Sequence, residues 1–194
     1  MIETKKEIKE SIEVKNRILD DINLLKKIDE VSQIVLNAYQ RGNKTIFAGN
    51  GGSAADSQHL AAEFVSRFYF DRPALSSIAL TTDTSILTAI GNDYGYDKLF
   101  ERQIDANGNK DDVFFGISTS GNSPNIINAL KACEKLGIYR IGLTGQSDSK
   151  MLNYCDIVIQ VPSISTPRIQ ECHILIGHII CGFVEEMIYG DKRK

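Results

Sequence analysis

The spacing of apolar residues changes character once along the chain. Up to about residue 40, Ile8, Ile12, Ile18, Ile22, Leu25, Ile28, Val31, Val35 and Leu36 recur at helical spacing among charged residues, with no Pro or Gly before Gly42. This predicts one long helix or two consecutive ones, whose apolar stripe must be covered by its own domain or by a partner subunit. From Lys44 the pattern becomes short β-branched and apolar runs: KTIFAGN (44–50), LSSIAL (75–80), DVFFGIS (112–118), YRIGLTG (139–145) and DIVIQV (156–161). Helical stretches separate or follow them at roughly 52–68, 84–106 with a break around Gly91–Gly95, 123–136 and 166–189. Strand-like runs alternating with helices read as βαβ units, and parallel crossovers are right-handed. The predicted fold is therefore a doubly wound α/β parallel sheet of about five strands, residues 41–194, preceded by a helical arm, residues 1–40. In such sheets ligands bind beyond the carboxyl ends of the strands.

Composition narrows the function. The 194 residues carry 22 Lys+Arg against 25 Asp+Glu, a formal charge of −3, with 42% apolar and 24% charged residues. These are ordinary values for a folded soluble protein, and they provide no basic field for nucleic acid. The N-terminus alternates charges and has no apolar leader core. No run approaches the ~20 uninterrupted apolar residues of a membrane span. A soluble, cytoplasmic protein without nucleic-acid or membrane partners is expected. Cys133, Cys155, Cys172 and Cys181 form no C-x-x-C pair, so buried thiols are expected. Cys172 and Cys181, nine residues apart on one helix, should face opposite ways.

The segment GISTSGNSPN (116–125) carries the clearest chemistry. A strand ends in Ser118, Thr119, Ser120 and Gly121, and a helix begins near Ser123 with Pro124 in its first turn, where a missing N–H is harmless. Hydroxyl donors, a glycine turn and the free N–H groups of a new helix make an anion site, most naturally for phosphate. A helix cap without ligand is the plainer reading, but four hydroxyls within six residues exceed what capping requires. The earlier loop GNGGSAAD (49–56) is neither G-x-G-x-x-G nor a Walker motif, and alone it marks only a turn at a strand end that could close over a small polyol.

His59 and Glu63 stand four apart on the helix after that loop and share a face. Their apolar neighbours Leu60, Ala61, Ala62, Phe64 and Val65 suggest a buried or cleft setting, suited to a general base. On the last helix His178 sits among Ile176, Gly177, Ile179 and Ile180, a pattern typical of a core histidine. Gln170 and His178 are eight apart, a rise of about 12 Å, so a shared ligand would lie between them or a second chain would supply one group. His59, Glu63, Gln170 and His178 together offer nitrogen and oxygen donors suitable for a divalent metal such as zinc.

Four segments in order, GNGGSAADSQHLAAEF, AIGNDYGY, GISTSGNSPN and TPRIQECHILIGH, closely resemble the phosphoheptose isomerases of the sugar isomerase (SIS) domain superfamily, over essentially the whole chain. The resemblance implies interconversion of sedoheptulose 7-phosphate and D-glycero-D-manno-heptose 7-phosphate, the first step toward nucleotide-activated heptoses of lipopolysaccharide or capsule. It implies Glu63 as base and His178 as its acid/base partner, and one zinc per subunit on His59, Glu63, Gln170 and His178. Substrate positions would be Asn50, Gly51, Gly52, Ser53, Glu63, Asn92, Asp93, Ser118, Thr119, Ser120, Ser123 and Gln170. It also implies a homotetramer with active sites between subunits, the N-terminal arm serving assembly. Some members carry an acid just before the Arg-Ile-Gln motif where this chain has Pro167, so no role of that acid transfers. The competing expectation is a non-catalytic sugar-phosphate-binding regulator, like the SIS-domain factor that associates with the bacterial replication initiator; that factor resembles an enzyme that has lost the residues at the Glu63 and His178 positions, and this chain keeps both.

Overall fold

A computed structural model describes residues 3–192. The N-terminal periodicity resolves into two helices, α1 (Thr4–Asp20) and α2 (Ile22–Gln40), because Asp21 leaves helical geometry and caps α2, accepting from the amides of Asn23 and Leu24. Five parallel strands follow: β1 (Thr45–Gly49), β2 (Ser77–Ala79), β3 (Val113–Ile117), β4 (Tyr139–Gly145) and β5 (Ile157–Val161). Between and after them lie α3 (Gly52–Val65), α4 (Thr84–Tyr94), α5 (Glu101–Asn107), α6 (Pro124–Leu136) and α7 (Thr166–Tyr189). The expected break in the 84–106 segment falls at Gly95, whose φ of 88° suits glycine and ends α4.

The sheet order is β2-β1-β3-β4-β5, all parallel. Chain direction across the sheet reverses between β1 and β3, and the crevice beyond their carboxyl ends is where such a sheet binds ligands. One apolar layer joins α2, α3 and α7 to one sheet face through Val31, Val35, Phe47, Phe64, Phe115 and Ile176. The other joins α5 and α6 to the opposite face through Ile104, Phe114, Ile126 and Leu130.

By length and composition α7 could cross a membrane, but Ile169, Cys172, Ile176, Ile180 and Val184 are buried in the first layer, which makes it a core helix. Cys172 and Cys181 do face different neighbours, Cys172 lying near Lys15 of α1 and Cys181 near Tyr39 and Arg72, and both are buried. Cys155, by contrast, is only partly buried.

Helices α3 and α7 run in the same direction and touch at successive levels. Gly52 meets Gln170, Leu60 meets Gly177, and the Phe68–Tyr69 pair just beyond α3 meets Gly182. A methyl group at Gly177 would drive into the side chain of Leu60, which is buried in the same layer as Phe47, Phe64, Phe115, Leu143 and Ile180. The Gly177→Ala variant is therefore expected to lose about 2 kcal/mol of unfolding free energy in urea titration.

Candidate active site

Two loops meet at the carboxyl ends of β1 and β3. After β1, Gly49 must be glycine because a Cβ there would lie 2.5 Å from the Ser53 carbonyl oxygen, and Gly51 adopts φ 57°. Ser53 is buried beneath this turn. After β3, Gly121 takes φ 65° and donates its N–H to Ser118 Oγ at 3.2 Å. The Ser118 and Ser123 hydroxyls lie 3.0 Å apart, Ser120 Oγ is 3.5 Å from Ser118 Oγ, and Thr119 is half-buried alongside. Ser123 stands at the N-cap of α6 yet makes no side-chain capping bond, so its hydroxyl is directed into the loop. Clustered hydroxyls at a helix N-terminus form an arrangement that suits an anion.

Sequence reasoning placed Asn50 among the substrate positions but missed Asn125 and Tyr96, which join the two loops through it. Asn50 and the buried Asn125 exchange side-chain hydrogen bonds of 3.0 and 2.9 Å, and Tyr96 Oη donates to Asn50 Oδ1 at 2.9 Å. Both partners lie inside motifs that had been singled out, Asn125 at the end of GISTSGNSPN and Tyr96 at the end of AIGNDYGY. Nothing local marked them, since Asn50 and Asn125 are 75 positions apart. Asn92 and Asp93 lie exposed near the end of α4, with Asn92 donating to Asp93 at 2.7 Å.

The acid and base candidates converge between α3 and α7. His59 Nε2 lies 2.9 Å from His178 Nε2 and 3.0 Å from Glu63 Oε1. Burial first, and the nearby His59 second, hold the His178 pKa below the usual imidazole range, while Glu63 pulls it back up in part. Two expectations need correction. His59 is exposed and Glu63 half-buried, because α3 turns Leu60, Ala61 and Phe64 to the sheet and leaves Ala62 and Val65 facing out. An apolar neighbourhood in sequence was thus no measure of burial. His178 is not a core histidine either; it is partly exposed, and the histidine buried in α7 is His173, which donates from Nε2 to the Thr144 carbonyl at 3.2 Å.

The donor atoms of His59, Glu63 and His178 all lie within 4.8 Å of one another, so two imidazoles and a carboxylate suit a zinc-type ion with one position left open. Gln170 is held elsewhere: its amide rests on the bare Gly52, where any Cβ would displace it, about 10 Å along α3 from His59.

The SIS-domain family model matches residues 10–145. A phosphoheptose isomerase from Aneurinibacillus thermoaerophilus is 62% identical over 188 residues, 97% of this chain and 95% of that protein. Phosphoheptose isomerase 2 of Campylobacter jejuni is 64% identical over 181 residues, 93% of this chain and 90% of that protein. Among solved structures, a phosphoheptose isomerase from Neisseria gonorrhoeae superposes with a TM-score of 0.88 at 40% identity, covering 94% of this chain and 96% of the other.

Proposed function

Because this chain belongs to the phosphoheptose isomerase family of SIS-domain proteins, we propose that it interconverts sedoheptulose 7-phosphate and D-glycero-D-manno-heptose 7-phosphate. The observation that carries the reading is the convergence of Glu63 with His178, 115 positions later in the chain, in a fold whose β3 loop gathers hydroxyls suited to phosphate.

Moving a carbonyl between C2 and C1 requires a base for the carbon-bound proton and a second group for the oxygen-bound protons. Glu63 takes the proton from C1 of the ketose and returns it to C2. His178 supplies the proton that O2 gains and removes the one that O1 loses, passing through the cis-enediol. Ser118, Thr119, Ser120 and Ser123 hold the phosphate at the far end, so binding energy there orients the reacting end. Asn50, Gly51, Gly52 and Ser53 close over the polyol, with Asn92, Asp93 and Gln170 completing the contacts. His59, Glu63 and His178 would hold one zinc ion, which would supply a Lewis acid for the carbonyl. Gln170, whose amide rests on Gly52 about 10 Å along α3 from His59, would not share that donor set within one chain.

The protein acts as a homotetramer in the cytoplasm, at the head of heptose activation for lipopolysaccharide or capsule. Support for assembly comes from apolar side chains left exposed: Leu175, Ile179, Phe183 and Met187 at four-residue spacing on α7, and Ile8 and Ile12 on the arm helix α1.

Incubation of the purified chain with sedoheptulose 7-phosphate, followed by proton NMR, is expected to produce the aldose signal of the manno-heptose. Binding without conversion would overturn the reading in favour of a sugar-phosphate sensor. Calorimetric titration with zinc is expected to show about one ion per chain, with affinity lowered at least about tenfold in His178→Gln.

A further inference from the structure

Arg72 lies between α3 and β2, and Glu185 lies two turns beyond His178 on α7; neither belongs to the motifs or to the chemistry above. Their side chains are only 2% and 1% exposed, and Arg72 Nε donates to Glu185 Oε1 at 3.0 Å. Burying an ion pair this completely is a poor way to gain stability, because lost hydration offsets the attraction. What distinguishes this pair is its set of directed partners. The Glu185 carboxylate also accepts the backbone N–H groups of Phe68 at 2.8 Å and Tyr69 at 2.6 Å. The Arg72 guanidinium donates to the carbonyls of Glu63 at 2.8 Å, Phe64 at 2.6 Å, Ser66 at 3.2 Å and Pro73 at 3.1 Å.

The carbonyls of Glu63 and Phe64 belong to the last turn of α3, where intrahelical partners run out and a positive charge is favoured. One fork therefore caps the helix that carries Glu63, fastens the main chain of Glu63 itself, and binds a carboxylate of the helix that carries His178. The same carboxylate seats Phe68, whose ring centroid lies 5.3 Å from that of His178.

We propose that Arg72 and Glu185 form a positioning clamp that sets the spacing of Glu63 and His178 for the isomerisation. The proposal rests on the isomerase reading above. Lysine would keep the charge at position 72 but not the planar fork that reaches a carboxylate and the helix carbonyls together. Arg72→Lys is thus one test. The double variant Arg72→Met/Glu185→Met is the second, since removing both partners leaves no unmatched buried charge.

For each, kcat and KM on sedoheptulose 7-phosphate are measured, together with the visible absorption spectrum after loading with cobalt alone, and far-UV circular dichroism. The expected result is a kcat lower by roughly a hundredfold, a KM within about threefold of the parent, and a changed cobalt spectrum in a chain of unchanged helix content. Folded variants with kcat within about twofold of the parent and the parent's cobalt spectrum would overturn the proposal. Failure of both variants to fold would assign the pair to stability and overturn it equally. Should the parent chain not turn over the heptulose, the isomerase reading fails instead, and the cobalt comparison alone decides whether the pair sets the site's geometry.

Discussion

Glu63→Gln is expected to lower kcat on sedoheptulose 7-phosphate by two to four orders of magnitude, about 3–5 kcal/mol of barrier, while leaving the affinity for the heptulose within about tenfold. Glutamine fills the same space beside His59 and His178 and preserves a polar contact, but it cannot accept a proton from carbon. The loss therefore falls on the chemical step, whereas phosphate held by the Ser118–Ser123 loop is untouched. Calorimetric binding beside steady-state turnover separates the two quantities. Zinc content is compared in parallel, because His59 Nε2 lies 3.0 Å from the Glu63 carboxylate and the substitution also alters the ligand set. Turnover close to the parent's would remove Glu63 from the base role.

The second large effect is on stability in acid. His173 is fully buried in α7, and burial pushes its pKa down to about 4, against a smaller opposing contribution from its bond to the Thr144 carbonyl. Geometry explains the direction. Nε2 carries the proton given to the carbonyl, and Nδ1 is buried with no partner among the described residues, so a second proton would arrive where none of them accepts it. In the unfolded chain the ring titrates near its ordinary value of about 6.5. Between about pH 6.5 and 4 the unfolded state therefore binds a proton that the folded state refuses. Stability is full above this window and falls as pH drops through it, by about 3 kcal/mol at its lower end. Urea unfolding at both ends of the window measures the loss. His173→Gln retains a donor for Thr144 but cannot titrate, so its pH dependence should be shallower by that amount; equal slopes would exclude His173 as the source.

The sequence was most legible where function is local. The hydroxyl loop after β3 could be read residue by residue because strand end, glycine turn, prolyl first turn and hydroxyls all lie within one short segment, and these same hydroxyls cluster in space. The order of strands and helices was equally legible, since alternation of element type is written along the chain. Legibility failed where the deciding neighbour lies far away. A histidine in an apolar helix can face the core or a partner histidine, and only packing of α3 on α7 decides that His173 does the first and His178 the second. Apolar residues around His59 suggested burial, but Ala62 and Val65 are small enough to be left outside. Arg72 and Glu185, 113 positions apart, have no local signature at all.

The level-by-level contact of α3 with α7 has a consequence for how such a chain can change over time. One residue inserted in either helix turns everything beyond it by about 100° and advances it by about 1.5 Å. Inserted between Gly52 and His59, it would leave Gln170 on its glycine while swinging His59 and Glu63 away from His178. These two helices can therefore vary by substitution but not in length.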